Sequence, residues 1–494
     1  MTAVPPAGKA TAGEPRFRTL WLLAAVCAVA VVARLFHLGS GYWIDEILAL
    51  RDSFRGPLRE VLTQFPGDHH HPLYAVVGRI SVALLGESPW TVRLPAAVAG
   101  AASVPLVYAL SARLAGRTEA LLAGLLLAVS FHHVWFSQNA RGYTLMALLA
   151  LASTLVLLKA LETPAIGLFV LYAILASLGA YTHLTMVFVA VGHAVTAAIA
   201  VLWPVRHGSS PGWRGPLLGF TLAAVFTLAL YAPVLGQVLD FFLNNPSNLE
   251  GTSTPTWALR EAVRVLLLGV SAGTALLGGF ILIAGAAVGL LGLGSIWRRD
   301  RNAAMAYTLP GITMLAGALV SRGTMYPRFF FFMSGIVVIV ALRGCYAAAE
   351  WIAARVNGSA VLGPRLASGG ALMLVLASAA SLTLNYRYPK QDFEGALRFV
   401  EANRGPTERV GFTGVPFDPY AVIMGVSVPM LRTAADVEAL RTGGRSWLIY
   451  TFPRYLTHDS PEVAAIVEHE CHQRAVFPGT VGGGDVIVCT LEPT

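Results

Sequence analysis

The sequence predicts an α-helical protein that crosses a membrane about eleven times and ends in a small α/β domain. Of its 494 residues, 55% are hydrophobic and only 13% are charged, about half the charged fraction of a soluble domain. Long apolar segments follow one another between residues 18 and 384. Beyond this point the chain changes to short apolar runs separated by polar residues, a pattern typical of a soluble domain.

The apolar segments are taken in order as membrane spans, since a helix needs about 20 apolar residues to cross a bilayer. The segment 72–86 is shorter and contains Arg79, so we expect it to lie as an amphipathic helix at the membrane interface. The stretch 20–36 is longer than the apolar core of a secretory signal and predicts the first span. The predicted spans are residues 18–37, 92–114, 118–137, 142–161, 164–182, 184–203, 215–240, 269–296, 303–321, 327–347 and 366–384.

The charges predict the orientation of these spans. Residues 1–384 hold 25 Lys and Arg against 14 Asp and Glu, whereas residues 385–494 hold 10 against 13. The basic residues cluster in alternate short loops, and the positive-inside rule places those loops in the cytoplasm. The N-terminus is then cytoplasmic, and the C-terminal domain is extracytoplasmic. The Lys and Arg residues follow no aromatic stripe, so we expect no binding to nucleic acid.

The chain divides into three predicted parts. Residues 1–17, rich in Pro, Gly and Ala, form a disordered cytoplasmic N-terminus. Residues 18–384 form the transmembrane domain, and residues 38–91 within it form the first extracytoplasmic loop, with interfacial helices. Residues 385–494 form the extracytoplasmic α/β domain, with predicted helices at 392–403, 434–441 and 461–471 and predicted strands at 409–412, 447–450 and 485–488.

Four cysteines are present. Cys27 and Cys345 belong to apolar spans, where a thiol usually acts as a small packing residue. Cys471 and Cys489 lie in the C-terminal domain. A disulfide between them and two buried free thiols are both compatible with the sequence.

Two adjacent carboxylates, Asp45 and Glu46, follow the first span closely. A carboxylate beside a membrane is costly unless it is hydrated or has a function, and it can take a proton from a hydroxyl as general base. The structural alternative is a helix cap formed by Asp45.

A histidine cluster follows in the same loop, in the run Asp68-His69-His70-His71-Pro72-Leu73-Tyr74. Adjacent side chains point apart and rarely bind one metal ion together, so we expect no metal here. Instead, His70 or His71 would orient the acid pair or a phosphate group, and Tyr74 would complete the cluster.

Further polar side chains lie on the predicted outer side. Arg93 begins the second span and could bind a phosphate by paired hydrogen bonds or simply extend towards the membrane surface. The other candidates stand in loops between spans, where polar hairpins and interfacial aromatic belts are the structural alternatives. These candidates are Gln138, Asn139, Arg141, Tyr143, His183, Arg322, Tyr326 and Arg328.

The order of four of these motifs resembles the GT-C glycosyltransferases, in the branch that holds protein O-mannosyltransferases and the lipid A aminoarabinose transferase. The resemblance covers residues 18 to about 345. Oligosaccharyltransferases of the same broad fold carry a metal-binding acidic motif where this chain has Asn139 and Arg141. The motifs that carry the resemblance are Asp45-Glu46, His71-Pro72-Leu73-Tyr74, Arg93-Leu94-Pro95 and Ser137-Gln138-Asn139-Ala140-Arg141.

This resemblance implies the GT-C fold and a defined activity. A monosaccharide would pass from a polyprenyl-phosphate donor to a hydroxyl group of a lipid, glycan or protein on the extracytoplasmic face. Asp45 would act as general base, Glu46 would support its geometry or contact the acceptor, and the arginines would neutralise the departing phosphate. No cofactor and no divalent metal would be required. The setting would be a bacterial-type plasma membrane.

A transporter or flippase for lipid-linked sugars is the alternative from another functional class. Such proteins usually show inverted repeats, broken helices and charged residues near the middle of the membrane. This sequence shows no repeat, and its polar residues gather on one predicted face. The enzyme is therefore the favoured hypothesis.

Overall fold

The structure is a computed structural model that describes residues 16–67, 70–204, 212–244, 260, 263, 275–321, 326–356, 361–442 and 444–493. A helix accompanies each predicted span. The helices of the membrane part are α1 (Arg16–Leu35), α2 (Ile44–Ala49), α3 (Leu58–Thr63), α4 (Pro72–Leu85), α5 (Pro89–Ala112), α6 (Arg117–Ala128), α7 (Phe131–Ser137), α8 (Tyr143–Glu162), α9 (Ile166–Thr182), α10 (Met186–Leu202), α11 (Arg214–Tyr231), α12 (Leu235–Asn244), α13 (Ala275–Arg299), α14 (Arg301–Ser321), α15 (Ser334–Arg355) and α16 (Leu362–Arg387).

Length and hydropathy agree with a polytopic membrane protein. Among the described residues, eight helices are long and apolar enough to cross a bilayer, and the bent pair α6 and α7 brings the number up to nine. The apolar helices α9 and α10 have 17 residues each, near the lower bound for a span. The α-helical polytopic class is therefore confirmed.

Three predicted spans have a different internal structure. The segment 118–137 is bent by 54° between α6 and α7. The segment 215–240 is divided into α11 and α12 by a turn at residues 232–234. A 3-10 turn, Pro327–Met333, precedes α15. Residues 269–274 of another predicted span lie outside the described residues.

The membrane bundle packs through small residues, as membrane helices commonly do. A Cβ atom built on Gly292 would lie 2.0 Å from the carbonyl oxygen of Val340, and one on Gly344 would lie 2.0 Å from that of Val288. Neither position has room for a larger residue, so α13 and α15 are in backbone contact. This close approach fixes the position of α15 against α13, and the 3-10 turn leads into α15.

The first loop contains three short helices and a π-helical turn, Leu50–Phe54. Pro72 begins α4, where its missing N–H group costs nothing, and Tyr74 and Ala75 of this helix are buried. The predicted helix at 72–86 is therefore present.

The C-terminal domain is built on a four-stranded sheet with the order β1-β2-β4-β3. Strand β1 is parallel to β2, whereas β4 is antiparallel to both β2 and β3. The α/β prediction is confirmed, with helices within one residue of the predicted bounds. The elements are α17 (Phe393–Asn403), β1 (Val410–Thr413), α18 (Pro419–Ile423), α19 (Ala434–Arg441), β2 (Ser446–Tyr450), α20 (Pro453–Asp459), α21 (Pro461–Glu470), β3 (His472–Phe477) and β4 (Val486–Leu491).

Strand β3 was not predicted, because its first three residues are polar and four of its six residues are exposed, as is usual at a sheet edge. A disulfide joins Cys471, just before β3, to Cys489 in β4. Of the two alternatives that the sequence left open, the structure has the disulfide.

The C-terminal domain shares a hydrophobic core with the first loop. Trp43 and Ile47 from the start of the loop belong to the same buried cluster as Phe393, Phe412 and Trp447 of the domain. A second buried cluster, around Leu448 and Val463, belongs to the domain alone. Because the first core is shared, the domain is packed directly against the segment that carries the acid pair.

Candidate active site

Helix α2 separates the two adjacent carboxylates. Consecutive helical residues point about 100° apart around the axis, so Asp45 and Glu46 cannot face the same surroundings. The side chain of Asp45 remains 17% exposed, whereas that of Glu46 is fully buried. Only Asp45 is therefore open to a substrate.

Glu46 forms a buried ion pair with Arg93. Its Oε1 and Oε2 atoms accept hydrogen bonds from Nε and Nη2 of Arg93 at 2.7 and 2.5 Å. Oε1 also accepts one from the backbone N–H of Ala140 at 2.8 Å. The bidentate pair thus joins the first loop, α5 and the loop between α7 and α8.

The remaining donors of Arg93 are also occupied. Nη1 donates to the carbonyl oxygens of Leu38 and Ser40 at 2.9 and 2.7 Å, and Nη2 donates to that of Gly41 at 2.8 Å. The structure therefore places Arg93 in a fully bonded, buried position. This differs from the predicted contact with a phosphate, and the contacts of Glu46 likewise indicate a structural role.

Electrostatics keep Glu46 ionised inside the protein. Burial by itself would raise its pKa, but the charge and hydrogen bonds of Arg93, the charge of Lys390 and the N–H group of Ala140 together lower it. A carboxylate that accepts several hydrogen bonds from charged and backbone donors is stabilised in this way. Glu46 consequently remains an anion at neutral pH, and its buried oxygens are already occupied by donors from Arg93 and Ala140.

Asp45 lies between two arginines from distant parts of the chain. Its Oδ2 atom is 4.0 Å from Nε of Arg141 and 3.6 Å from Nη1 of Arg328. Arg141 is almost completely buried, and Arg328 is about one-third exposed. The arrangement places two cations around one accessible carboxylate, and we name Asp45, Arg141 and Arg328 the charged cleft.

Three aromatic rings line the charged cleft next to Arg141. The ring centroid of His71 lies 5.0 Å from that of Tyr143 and 4.9 Å from that of His183, and Tyr143 and His183 are 5.4 Å apart. The ring of Phe329, next to Arg328, lies 5.8 Å from His183. The structure thus brings together His71, Tyr143 and His183 of the predicted candidates.

His183 is held neutral. Burial lowers its pKa to about 3, and the charges of Arg141 and Arg328 contribute to the decrease. Its Nδ1 accepts a hydrogen bond from the backbone N–H of Thr185 at 3.2 Å. Neutral His183 can therefore offer its Nε2 to a hydrogen bond, but it cannot serve as a cation.

Three buried nitrogens at the charged cleft make no hydrogen bond within the described part of the chain. They are Nδ2 of Asn139, Nε of Arg141 and Nε2 of His183. Buried polar atoms are normally hydrogen-bonded, and the exceptions often mark a place where a ligand binds. All three carry N–H groups, since Nδ1 of neutral His183 accepts a hydrogen bond, and such donors suit an acceptor-rich group such as a sugar or a phosphate.

Other predicted candidates have structural contacts. Gln138 donates from Nε2 to the carbonyl oxygens of Arg34 and Phe36, Tyr74 donates to that of Val92, and Nε2 of His70 lies 3.2 Å from the carbonyl oxygen of Val61. Asn139 accepts a hydrogen bond from Nε1 of Trp43 at 3.1 Å. These contacts fix the loops around the charged cleft.

Of the two candidates Tyr326 and Arg322, only Tyr326 belongs to the described residues. The Tyr326 ring lies under the guanidinium group of Arg328, at 4.4 Å. Arg322 lies outside the described residues, as do Asp68 and His69. Within the described residues, no group of three His, Cys, Asp or Glu side chains could hold a metal ion.

Arg34 stabilises the bend between α6 and α7 by hydrogen bonds to residues on both sides of it. Nη1 donates to the carbonyl oxygens of Ala30 and Ala128 at 2.9 and 3.0 Å, and Nε donates to Oγ of Ser137 at 3.2 Å. A broken membrane helix is tolerated where such donors satisfy the freed carbonyl groups. The bend sets the direction of α7, and Asn139 and Arg141 lie in the loop that follows this helix.

Two residues that were not predicted as site residues connect the C-terminal domain to the membrane part, one to α2 and one to the end of α7. Oε1 of Gln391 accepts a hydrogen bond from the backbone N–H of Ile44 at 2.9 Å. Lys390 donates from Nζ to the carbonyl oxygen of Gln138. Lys390 is one of only three lysines in the chain, and a lone lysine directly after the last span was the available signal.

Comparison with known proteins supports the sequence resemblance. Residues 69–236 match the family model described as dolichyl-phosphate-mannose-protein mannosyltransferase. No curated protein matches the sequence.

Solved structures resemble almost the whole chain. ArnT from Cupriavidus metallidurans in the apo state has 15% sequence identity and a TM-score of 0.53, with 96% of this chain and 98% of that chain covered. The oligosaccharyltransferase of Archaeoglobus fulgidus, tethered with an acceptor peptide, gives 13% identity and a TM-score of 0.52, covering 93% and 72%. The oligosaccharyltransferase AglB of the same organism, in complex with an inhibitory peptide and a dolichol-phosphate, has 12% sequence identity and a TM-score of 0.53. The match covers 96% of this chain and 74% of AglB.

At these identities the likeness concerns the fold. The fold shared with ArnT includes both the membrane helices and the C-terminal domain of this chain, since both chains are covered almost completely. The chain therefore has the GT-C fold of membrane glycosyltransferases.

Proposed function

We propose that the protein transfers a monosaccharide from a polyprenyl-phosphate donor to an acceptor hydroxyl, with Asp45 as general base. The observation that carries this proposal is the charged cleft, in which the accessible carboxylate of Asp45 lies 3.6 Å from Arg328 and 4.0 Å from Arg141. In glycosyl transfer from a phosphate, the acceptor hydroxyl loses a proton and the phosphate gains a negative charge. A proton acceptor next to two cations suits both changes.

In the proposed reaction, the acceptor oxygen attacks the anomeric carbon of the donor sugar. Its proton passes to the carboxylate of Asp45 as the new carbon–oxygen bond forms. The bond between the anomeric carbon and the phosphate oxygen breaks, and its electron pair leaves with the polyprenyl phosphate. This adds one negative charge to the phosphate, and positioned cations are most effective where charge develops in the transition state.

Arg141 and Arg328 are the groups that we assign to the departing phosphate. Before the donor binds, they offset the negative charge of Asp45. His71, Tyr143 and neutral His183 would contact the sugar, because aromatic rings and single hydrogen bonds suit its faces and hydroxyl groups. Glu46 and Arg93 are assigned to positioning, through their buried pair.

The donor class is supported by the comparisons. The matching family model is named for a dolichyl-phosphate-mannose donor, and AglB, which shares the fold, is described in complex with a dolichol-phosphate. We therefore infer a lipid donor, with its head group in the charged cleft and its tail among the apolar helices. The acceptor would be a hydroxyl group of a lipid, glycan or protein.

The proposed site lies on the extracytoplasmic side of a bacterial-type plasma membrane. This orientation follows from the distribution of Arg and Lys among the loops. In this arrangement the N-terminus is cytoplasmic and residues 385–494 are outside, over the charged cleft.

An Asp45→Asn variant tests the mechanism directly. Purified protein is incubated with a polyprenyl-phosphate sugar and an acceptor, and the release of free polyprenyl phosphate is measured. The matched control is Asp52→Asn, since Asp52 lies in the same loop and pairs with Arg51 at the surface. Turnover by Asp45→Asn at the wild-type rate would rule out the assigned base, whereas loss of turnover in both variants would point to a general effect on the loop.

The same measurement separates an enzyme from a flippase. A flippase moves the donor lipid across a proteoliposome membrane without releasing polyprenyl phosphate. Since the two arginines supply the positive charge, we expect turnover to persist in the presence of a chelator. Complete loss of activity with a chelator, restored by a divalent ion, would contradict that part of the proposal.

A further inference from the structure

A second polar cavity lies away from the charged cleft, where α1 and α16 end. Its volume is about 150 Å³. Neither Asp45 nor the arginines of the charged cleft line it. The nine lining residues are His37, Ser40, Gln138, Asn385, Tyr386, Arg387, Tyr388, Pro389 and Lys390, which we name the α1–α16 cavity.

The lining of the α1–α16 cavity is basic. It contains Lys390, Arg387 and His37, together with the hydroxyl group of Ser40, and none of its nine residues is acidic. Three groups that can carry positive charge around one small space favour an anion.

Lys390 is the buried member of this set, with 4% of its surface exposed. Its Nζ donates to the carbonyl oxygen of Gln138 and lies 5.1 Å from the centroid of the Trp135 ring. An ammonium group has three N–H donors, and the described residues use one of them in a hydrogen bond. Two donors therefore remain for a ligand or for water.

Burial lowers the pKa of Lys390 to about 7, with a further decrease caused by the charge of Arg93 and a partial increase caused by that of Glu46. A buried cation without a bound anion is unfavourable. An anion in the α1–α16 cavity would relieve this cost.

His37 enters the α1–α16 cavity from a strained backbone. Its φ angle is 57°, in the left-handed region that bulky residues rarely adopt and that often accompanies function. The ring packs on Phe36 and Tyr386, with centroids 4.7 and 6.4 Å away. The strained turn thus directs His37 to the cavity that Lys390 and Arg387 also line.

The surface next to the α1–α16 cavity is apolar and exposed. Leu35 and Phe36 at the end of α1 are 47% and 52% exposed, and Leu384 in the last turn of α16 is 36% exposed. In a membrane helix such side chains contact acyl chains. The cavity therefore lies at the level where the apolar surface of the bundle ends, which is also the level of lipid head groups.

We propose that the α1–α16 cavity binds the phosphate group of an anionic lipid, with Lys390, Arg387 and His37 as its ligands and with Leu35, Phe36 and Leu384 against the acyl chains. The same chemistry would also accept free phosphate, which has no acyl chain to contact the apolar residues. This site does not depend on the activity assigned to the charged cleft.

The test uses the full-length protein in nanodiscs. Phosphatidylglycerol is titrated into phosphatidylcholine nanodiscs, and the shift of the unfolding temperature gives an apparent affinity. The variants are Arg387→Gln and Lys390→Met, with His37→Asn as a third, because asparagine tolerates left-handed backbone. Arg365→Gln is the matched control, since Arg365 lies at the opposite end of the same helix.

We expect phosphatidylglycerol to stabilise the wild type and the control, and each variant to lose affinity by about 10-fold, as for one charged hydrogen bond. A parallel series with inorganic phosphate in phosphatidylcholine nanodiscs identifies the source. An equal stabilisation there, lost in the same variants, would assign the site to free phosphate. Absence of any stabilisation, or an equal response of Arg387→Gln and wild type, would overturn the proposal, even if Lys390→Met failed to fold.

Discussion

Nη1 of Arg328 lies 3.6 Å from Oδ2 of Asp45, although one residue precedes α15 and the other lies in α2. Arg141 approaches the same oxygen from a third segment. Three distant parts of the chain therefore converge on one carboxylate. Because the two cations come from different loops, their effects on the reaction can be separated by substitution.

Replacing Arg141 by Gln removes the buried cation of the charged cleft. We expect kcat/KM for the lipid donor to fall on the order of 100-fold, the usual effect of losing one group that stabilises transition-state charge. The measurement is initial rate against donor concentration. Arg398→Gln removes an exposed arginine of the C-terminal domain that pairs with Glu394 and should leave the rate unchanged. A normal kcat/KM in Arg141→Gln would contradict the role of this cation.

Replacing Glu46 by Gln tests whether the second carboxylate is structural. The change keeps the shape but leaves Arg93 as a buried cation without its anionic partner, which costs about 3 kcal/mol or more. Stability should fall, as seen in thermal unfolding of the purified protein. Activity should be lost only as far as the folded fraction is lost. A stable Glu46→Gln protein with a greatly reduced kcat would instead give Glu46 a direct part in the reaction.

The lowered pKa of Glu46 predicts how the stability of the protein changes at acidic pH. A carboxyl group with a lower pKa in the folded state contributes stability above its unfolded pKa, and this contribution is lost as pH falls through the folded pKa. Wild type should therefore lose stability steeply on acidification, below the ordinary Glu range. The Glu46→Gln variant should show a shallower acid limb in the same unfolding measurement, and equal limbs would count against a charged Glu46.

The sequence predicted the membrane fold, but the burial and the contacts of individual side chains follow only from the folded structure. Two neighbouring acids in a sequence look equivalent, and only the start of α2 decides that Asp45 is open and Glu46 is buried. The same holds for Arg93, because an arginine at a span terminus gives no sign of whether its partner is a phosphate or a carboxylate. Lys390 and Gln391 were not predicted as site residues because their contacts cross between domains. A local sequence pattern carries no information on such long-range packing.

Lys390 should make the stability of the protein depend on alkaline pH. Its pKa in the folded state is about 7, against about 10.4 for an unfolded lysine. Between these values the unfolded chain binds more protons, so stability rises with pH. Replacing Lys390 by Met should flatten this rise, as followed by the unfolding temperature from neutral to alkaline pH in phosphatidylcholine nanodiscs. Parallel curves for the two proteins would show that Lys390 remains protonated in the folded state.

Gly142 allows a test of how tightly the charged cleft must be packed. A Cβ atom at this position would lie 2.8 Å from both Nδ1 of His71 and Cγ2 of Thr182, closer than atoms can pack. Gly142→Ala must therefore displace the His71 ring, the Thr182 side chain or the loop backbone that carries both Gly142 and Arg141. Because a misplacement of about 1 Å can cost about 100-fold in rate, we expect a large loss of kcat with a nearly normal unfolding temperature.

The matched control for this substitution is Gly167→Ala, since Gly167 lies in α9 with nothing within 4 Å of a built Cβ atom. Alanine favours the helix over glycine, so this variant should be at least as stable as wild type and equally active. Gly142→Ala with full activity would mean that His71 can move aside without consequence, which would remove it from the proposed sugar contacts. A loss confined to Gly142→Ala would instead make the spacing between His71 and the loop after α7 a requirement of the reaction.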